Sequence, residues 1–177
     1  MTKLIRLIDK TSFVFGVIAG AMMLIGVLLV LTEIIVRAIF NSTLYITEEY
    51  TAYIMVAITF LGLSYTLKEK GHIRMVFLHK FIKGKARNYL DLYAFIVGFI
   101  AFSLITITTT NFFLDSLITG SRSMQISKTY LAIPQSLMPL GSFLVSLQLA
   151  AEVLKTIIRI QKGEMPEDET NSQELGR

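Results

Sequence analysis

The stretch FVFGVIAGAMMLIGVLLVL, Phe13–Leu31, is 19 residues long and carries no charge. Three further uncharged runs follow it, of 18, 23 and 22 residues: Tyr50–Leu67, Leu92–Leu114 and Tyr130–Ala151. A helix needs about 20 mostly apolar residues to cross the hydrocarbon core of a bilayer. The sequence therefore predicts an all-α integral membrane protein with four transmembrane helices. The predicted spans cover about residues 13–36, 46–67, 89–114 and 130–158.

The overall composition agrees with a membrane protein. Hydrophobic residues make up 53% of the chain, charged residues 17%, and the mean hydropathy is +0.61. A soluble domain carries about 25% charged residues, and a chain of this size could not cover four fully buried helices. The absence of cysteine excludes disulfides and thiolate chemistry. The apolar run behind the basic N-terminus is too long for a signal peptide and lacks a cleavage site, so we expect a retained helix.

The basic residues flank the apolar runs, which argues for topology signals and against a nucleic-acid partner. The N-terminus carries three Lys or Arg, the segment between the second and third runs seven, and the C-terminal exit three. The opposite face has only Arg37, Arg122 and Lys128. Both termini and the central segment are therefore expected to be cytoplasmic.

The central segment, residues 70–87, is predicted to form a short amphipathic cytoplasmic helix between helices two and three. Ile73, Val76, Phe77 and Phe81 fall on one helical face, and basic residues cover the rest. The candidates for lipid-headgroup contact are Lys70, Lys80, Lys83, Lys85 and Arg87; a partner protein could dock there instead. Residues 1–162 form one predicted transmembrane domain. Residues 163–177 are acidic and polar and are expected to be disordered.

Helix one is predicted to end by Asn41-Ser42, and its Gly16-x-x-x-Gly20 spacing would let another helix approach closely. Thr47 is predicted to cap helix two. Glu48 and Glu49 then fall in its first turn, where the helix dipole favours negative charge. Because consecutive helical residues point about 100° apart, one of these carboxylates is expected to face protein and the other water.

Two prolines fall in the fourth span. Pro134 fits a helix start, whereas Pro139 is expected to bend the helix, since it lacks a backbone donor. Ser142, Ser146 and Ala150 form a stripe of small residues suited to helix packing.

A search for catalytic and cofactor sites yields little. There is no phosphate-binding Gly-rich loop, no triad is apparent, and His72 and His79 lie outside the spans, where they could not ligate a haem. We expect no enzymatic activity and no cofactor, apart from a bound phospholipid. Glu33 is the deepest carboxylate, four residues before Arg37, so the two can pair across one helical turn. Pairing or a subunit contact is favoured over ion coupling.

Several short motifs occur in order along residues 10–160. They are Glu48-Glu49-Tyr50, Thr59-Phe60-Leu61-Gly62, Lys70-Gly71-His72-Ile73-Arg74, and Pro134 with Pro139-Leu140-Gly141. Together with the length and the four spans, they resemble the small membrane subunit of tripartite ATP-independent periplasmic (TRAP) transporters. One departure is that the family often has Trp before the paired glutamates. This chain has Ile46-Thr47 there and no Trp at all, with Tyr45 a possible substitute anchor.

The resemblance implies a three-part uptake system in the bacterial inner membrane. A periplasmic binding protein would capture an organic acid, such as a dicarboxylate or a sialic acid, and a large membrane subunit would carry the substrate and sodium sites. The small subunit would bind the large one as a scaffold, with no catalytic, metal or substrate site of its own. The candidate partner-contact or structural residues are Glu33, Arg37, Glu48, Glu49, Gly62, Gly71, His72, Arg74, Pro134, Pro139 and Gly141.

Two alternatives are open at this level. The chain could anchor a respiratory or quinone-linked enzyme complex, although no histidine lies within its spans. It could also be a small stand-alone carrier or channel that uses Glu33.

Overall fold

The computed structural model describes residues 2–69 and 85–162, which form five helices. They are α1 (Thr2–Phe40), α2 (Thr47–Lys68), α3 (Lys85–Thr119), α4 (Ala132–Gln135) and α5 (Leu137–Lys162). The described residues contain no strand, only one isolated antiparallel bridge between Arg122 and Tyr130. By length and composition, α1, α2 and α3 can each cross a membrane, and α4 with α5 forms a fourth span. The predicted all-α fold with four membrane-spanning helices is confirmed.

The helices extend past the predicted spans. α1 has 39 residues and α3 has 35, so at about 1.5 Å per residue each is longer than the roughly 30 Å hydrocarbon core. The apolar runs mark the part that fits a bilayer, and the hydrogen-bonded backbone continues beyond them. α1 ends just before Asn41, which adopts a positive φ of 47°. The predictions of an amphipathic helix in the central segment and of a disordered tail fall outside the described residues, except that Lys85–Arg87 begin α3.

The four spans pack in a row and not as a closed bundle. α1 packs on α2, α2 packs on α5, and α5 packs on α3, while α1 makes only a slight contact with α5. Within the described residues, α1 and α3 stand at the two ends of this row. In the most apolar stretch of each span, the buried share is 44% for the α4–α5 span, but only 11% for α1 and 6% for α3.

Glycines set the closest approaches between neighbouring helices. A Cβ at Gly141 of α5 would collide with the backbone of Phe60 in α2, and one at Gly16 of α1 would collide with the Tyr65 ring. The close approach predicted for the Gly16-x-x-x-Gly20 pair is thus made by Gly16 alone, since a Cβ at Gly20 would meet nothing. Close backbone contact of this kind strengthens packing between helices in lipid.

The fourth span is interrupted between its two prolines. α4 ends at Gln135 and α5 begins at Leu137, with Ser136 between them. Pro139 lies in the first turn of α5, where a missing backbone donor costs little. Pro139 cannot donate to the Gln135 carbonyl one turn earlier, so the interruption at Ser136 lies where a bend caused by this proline is expected.

The small-residue stripe on α5 lies in the packed centre. Ser142 is fully buried and its hydroxyl lies 3.3 Å from that of Thr109 on α3, while Ser146 is buried and Ala150 is half-buried. Beside the stripe, Val145 and Leu149 form the apolar core with Leu67 of α2. This face of α5 holds its two neighbours together.

Candidate functional site

The candidate residues concentrate at one end of the row, which carries the connections 41–46 and 120–131. We call it the outer end, because the sequence places it opposite the basic segments. Glu33 of α1 lies at this end and is buried. Its Oε1 accepts a hydrogen bond from Arg37 Nη2 at 2.8 Å, so the predicted ion pair is present. Its Oε2 accepts bonds from the Leu44 amide at 2.8 Å and the Thr47 hydroxyl at 3.2 Å. Glu33 thereby joins the end of α1 to the start of α2.

The first residue of α2 does not have the predicted role. α2 begins at Thr47 as expected, but Ile46 holds the N-cap position and no side chain caps the helix. The Thr47 hydroxyl donates to Glu33 instead. In a cap the hydroxyl would accept a bond from a backbone amide of the first turn, whereas here it donates to a charged carboxylate, which is a strong acceptor. Thr47 is therefore a tertiary contact.

Glu49 fixes the second connection. Its Oε1 accepts a 2.6 Å bond from Tyr53, and its Oε2 accepts a bond from the Ser127 hydroxyl. Ser127 also lies 2.8 Å from the Thr129 hydroxyl. The carboxylate of α2 thus holds the 120–131 connection against the helix.

Glu48 behaves differently from its neighbour. It is exposed and makes no hydrogen bond or ion pair with any described residue, whereas Glu49 is buried. The predicted division, with one carboxylate facing protein and the other facing outward, is confirmed.

A groove of about 540 Å³ opens between the outer ends of α1 and α2. Charged residues line one part of it, namely Glu33, Arg37 and Glu48, and apolar residues line another, including Val30, Ala52 and Met55. Gln125 and Ile126 of the 120–131 connection close one side. The structure therefore brings three of the predicted residues together around one groove, with Glu49 close behind it in α2.

A polar network at the other end of the row was not predicted. Gln148 of α5 is fully buried, and its Nε2 donates to Asp9 Oδ1 of α1 at 2.9 Å. Its Oε1 accepts a 3.1 Å bond from the buried Ser12 hydroxyl. Lys155 joins Asp9 at 3.4 Å and Glu152 at 2.8 Å. A glutamine within the uncharged run Tyr130–Ala151 was the available signal, because an amide in lipid needs a partner.

The other candidate residues lie in helix contacts or outside the described chain. A Cβ built at Gly62 would lie 3.8 Å from the Cβ of Ala19 in α1, and Gly141 packs closely on α2. Pro134 is buried in α4 and Pro139 is half-buried. The predictions for Lys70, Gly71, His72, Arg74, Lys80 and Lys83 concern residues outside the described ranges. Lys85 and Arg87 lie in the first turn of α3, and their headgroup contacts stay predictions.

The chemistry that this arrangement supports is structural. In residues 2–69 and 85–162, no group of three or more His, Cys, Asp or Glu could hold a metal ion. The two buried outer-end carboxylates, Glu33 and Glu49, have their oxygens bonded within the chain. Their bonds fasten the two connections of the outer end to the helices.

Comparison with curated proteins and with solved structures returns no match. The sequence profile of the family described as "Tripartite ATP-independent periplasmic transporters, DctQ component" matches residues 26–159. The match includes the outer end, all of α2 and α3, and nearly all of α5. It agrees with the motif order and the four spans. The chain therefore belongs to the DctQ component family of tripartite ATP-independent periplasmic transporters.

Proposed function

We propose that this chain is a scaffold subunit that binds and stabilises the large membrane subunit of a TRAP transporter. In this proposal the complex takes up an organic acid with sodium, after a periplasmic binding protein delivers it. The substrate and sodium sites lie on the large subunit. In the same proposal, the chain spans the bacterial inner membrane with both termini in the cytoplasm.

The row of helices is the observation that carries the proposal. A closed bundle buries one face of each helix, but a row leaves both of its broad faces and the far sides of α1 and α3 uncovered. Large apolar side chains are exposed on these helices, for example Leu28 on α1, Leu104 on α3 and Phe143 on α5. Such a shape suits a subunit that widens a larger membrane protein.

The internal use of the carboxylates also supports a scaffold. A carrier that couples transport to an ion normally places its sites near the bilayer midplane, on broken helices. Here Glu33 is bonded to three groups of its own chain near one end of the row. These bonds favour a structural Glu33 over the stand-alone carrier that would use it.

The direct test is uptake in proteoliposomes. We expect the chain alone to show no sodium-dependent uptake in the presence of its binding protein. The large subunit with this chain should transport, and the large subunit without it should transport less or be lost during purification. Sodium-driven uptake by this chain alone would disprove the proposal.

Association with the large subunit can be tested at Glu49. In Glu49→Ala, Ser127 and Tyr53 lose their acceptor, so the 120–131 connection should loosen at a cost of about 1–3 kcal/mol. We expect several-fold less large subunit to co-purify at matched expression. Glu69→Ala is the control, because Glu69 is an exposed glutamate at the other end of α2. If wild type and Glu49→Ala co-purify equal amounts of the large subunit, the outer end is not part of the interface.

A further inference from the structure

The groove between the outer ends of α1 and α2 has a chemistry that scaffolding does not explain. It combines charged and apolar walls at the level where a span meets water. The charged wall consists of Glu33 and Arg37 of α1 and Glu48 of α2. The apolar wall includes Val30 and Met55, each of which is exposed in the described structure.

Arg37 has unused hydrogen-bonding capacity in this groove. Its side chain is 65% exposed, and its only hydrogen bond to a described residue goes from Nη2 to Glu33. A guanidinium has five N–H donors in a planar fork that matches a phosphate. The remaining donors can therefore bind an anion at the mouth of the groove.

Glu48 makes the groove unsuited to a simple anion. It lines the same groove, is exposed and has no partner among the described residues. With Glu33 and Glu48 against Arg37, the charged wall carries one net negative charge. A headgroup with only a phosphate charge would be repelled by Glu48, whereas one with a phosphate and an ammonium would satisfy both Arg37 and Glu48.

The apolar wall continues from the charges toward the middle of the spans. Val30 precedes Arg37 by two helical turns, about 10 Å along α1. A second depression of about 360 Å³ also borders Arg37, and its apolar lining is Val30, Ile34 and Ala38. A charged head at Arg37 thus borders two depressions with apolar lining, as a molecule with two acyl chains requires.

We infer that this groove binds one aminophospholipid, with its phosphate on Arg37, its ammonium on Glu48 and its acyl chains along Val30 and the neighbouring apolar residues. The inference needs only that the chain lies in a membrane and does not depend on the transport role. A lipid here covers the exposed walls between α1 and α2 and supports the Glu33 contacts from outside.

Native mass spectrometry of the full-length chain tests the inference. The protein is purified in mild detergent with an equimolar mixture of phosphatidylethanolamine and phosphatidylglycerol that have identical acyl chains. We expect wild type to retain phosphatidylethanolamine preferentially. Arg37→Gln should lower this retention about five-fold, which corresponds to one charge contact near a membrane surface. Glu48→Gln should abolish the preference for phosphatidylethanolamine over phosphatidylglycerol. Arg122→Gln, an outer-end cation outside the groove, should change neither quantity.

Glu48→Gln is the decisive variant if Arg37→Gln folds poorly, because Glu48 is exposed and has no described partner. An unchanged lipid preference in Glu48→Gln would overturn the inference. Equal retention of the two lipids by wild type would overturn it as well. So would loss of the bound phosphatidylethanolamine when the large subunit is added, since the groove would then be a protein interface.

Discussion

At the scale of single residues, the polar side chains of this protein mainly bind the chain to itself. Glu33, Glu49 and Gln148 are buried, and each accepts or donates hydrogen bonds across elements that are distant in sequence. In lipid such bonds replace those that water would make, and an unpaired group is costly. In the groove between α1 and α2, Glu48 and the remaining donors of Arg37 stay available.

Glu33→Ala should destabilise the protein by about 1–3 kcal/mol, because the Leu44 amide and the Thr47 hydroxyl lose their acceptor. The free energy of unfolding, measured by denaturant titration in mixed micelles, checks this expectation. Glu48→Ala is the matched control and should change stability by less than about 0.5 kcal/mol. Equal effects of the two changes would show that the Glu33 bonds contribute nothing.

The Asp9–Gln148 bond should be measurable as a coupling between α1 and α5. Interhelical hydrogen bonds in membranes are worth about 0.6 kcal/mol on average and up to about 1.7. We expect the double-mutant cycle of Asp9→Ala and Gln148→Leu, each of which removes one partner of the bond, to give a coupling energy in this range. A cycle between Asp9 and Ser142, which lies far from the network on α5, should be additive. Additivity in the first cycle would contradict the bond.

At the scale of helices, the sequence predicts where the spans lie better than how they end. Uncharged runs locate all four spans, since the bilayer fixes their length. The start of α1 at Thr2 was not predicted, because a helix continues into water wherever its own bonds hold. The Glu33–Arg37 pair follows from i, i+4 spacing. The Asp9–Gln148 bond does not, since it joins residues 139 positions apart and one sequence carries no signal for such a pair.

Gly141 should be the least replaceable glycine between helices. A Cβ there would meet the backbone of Phe60, which cannot rotate away as a side chain could. Gly141→Ala should therefore force α2 and α5 apart and cost about 1–3 kcal/mol, the range for overpacking. Gly20→Ala is the control, because its Cβ meets nothing within 4 Å, and it should be neutral or slightly stabilising. Thermal unfolding in detergent compares them, and equal melting temperatures would argue against the close approach.

At the scale of the whole molecule, the row of helices decides what the chain can do. α5 lies inside the row and is packed on two sides, whereas α1 and α3 have one main neighbour each. Association between helices in lipid depends on packing and hydrogen bonds and not on the hydrophobic effect. A row with open faces therefore gains further stability from a second protein that packs against it.

Site-specific photocrosslinking can identify the face that the second protein covers. A photoreactive residue is placed at one exposed apolar position on each spanning helix: Leu28, Met55, Leu104 and Phe143. In the membrane with the large subunit present, we expect crosslinks to that subunit from some of these positions and only lipid adducts from the others, because one partner cannot cover both faces of the row. Crosslinks confined to a second copy of this chain, or lipid adducts at all four positions, would contradict the scaffold function. The same scan on Glu49→Ala should give a lower yield of crosslinks to the large subunit, whereas the yield of lipid adducts should not change. The reason is that this substitution loosens the outer end without altering the apolar faces.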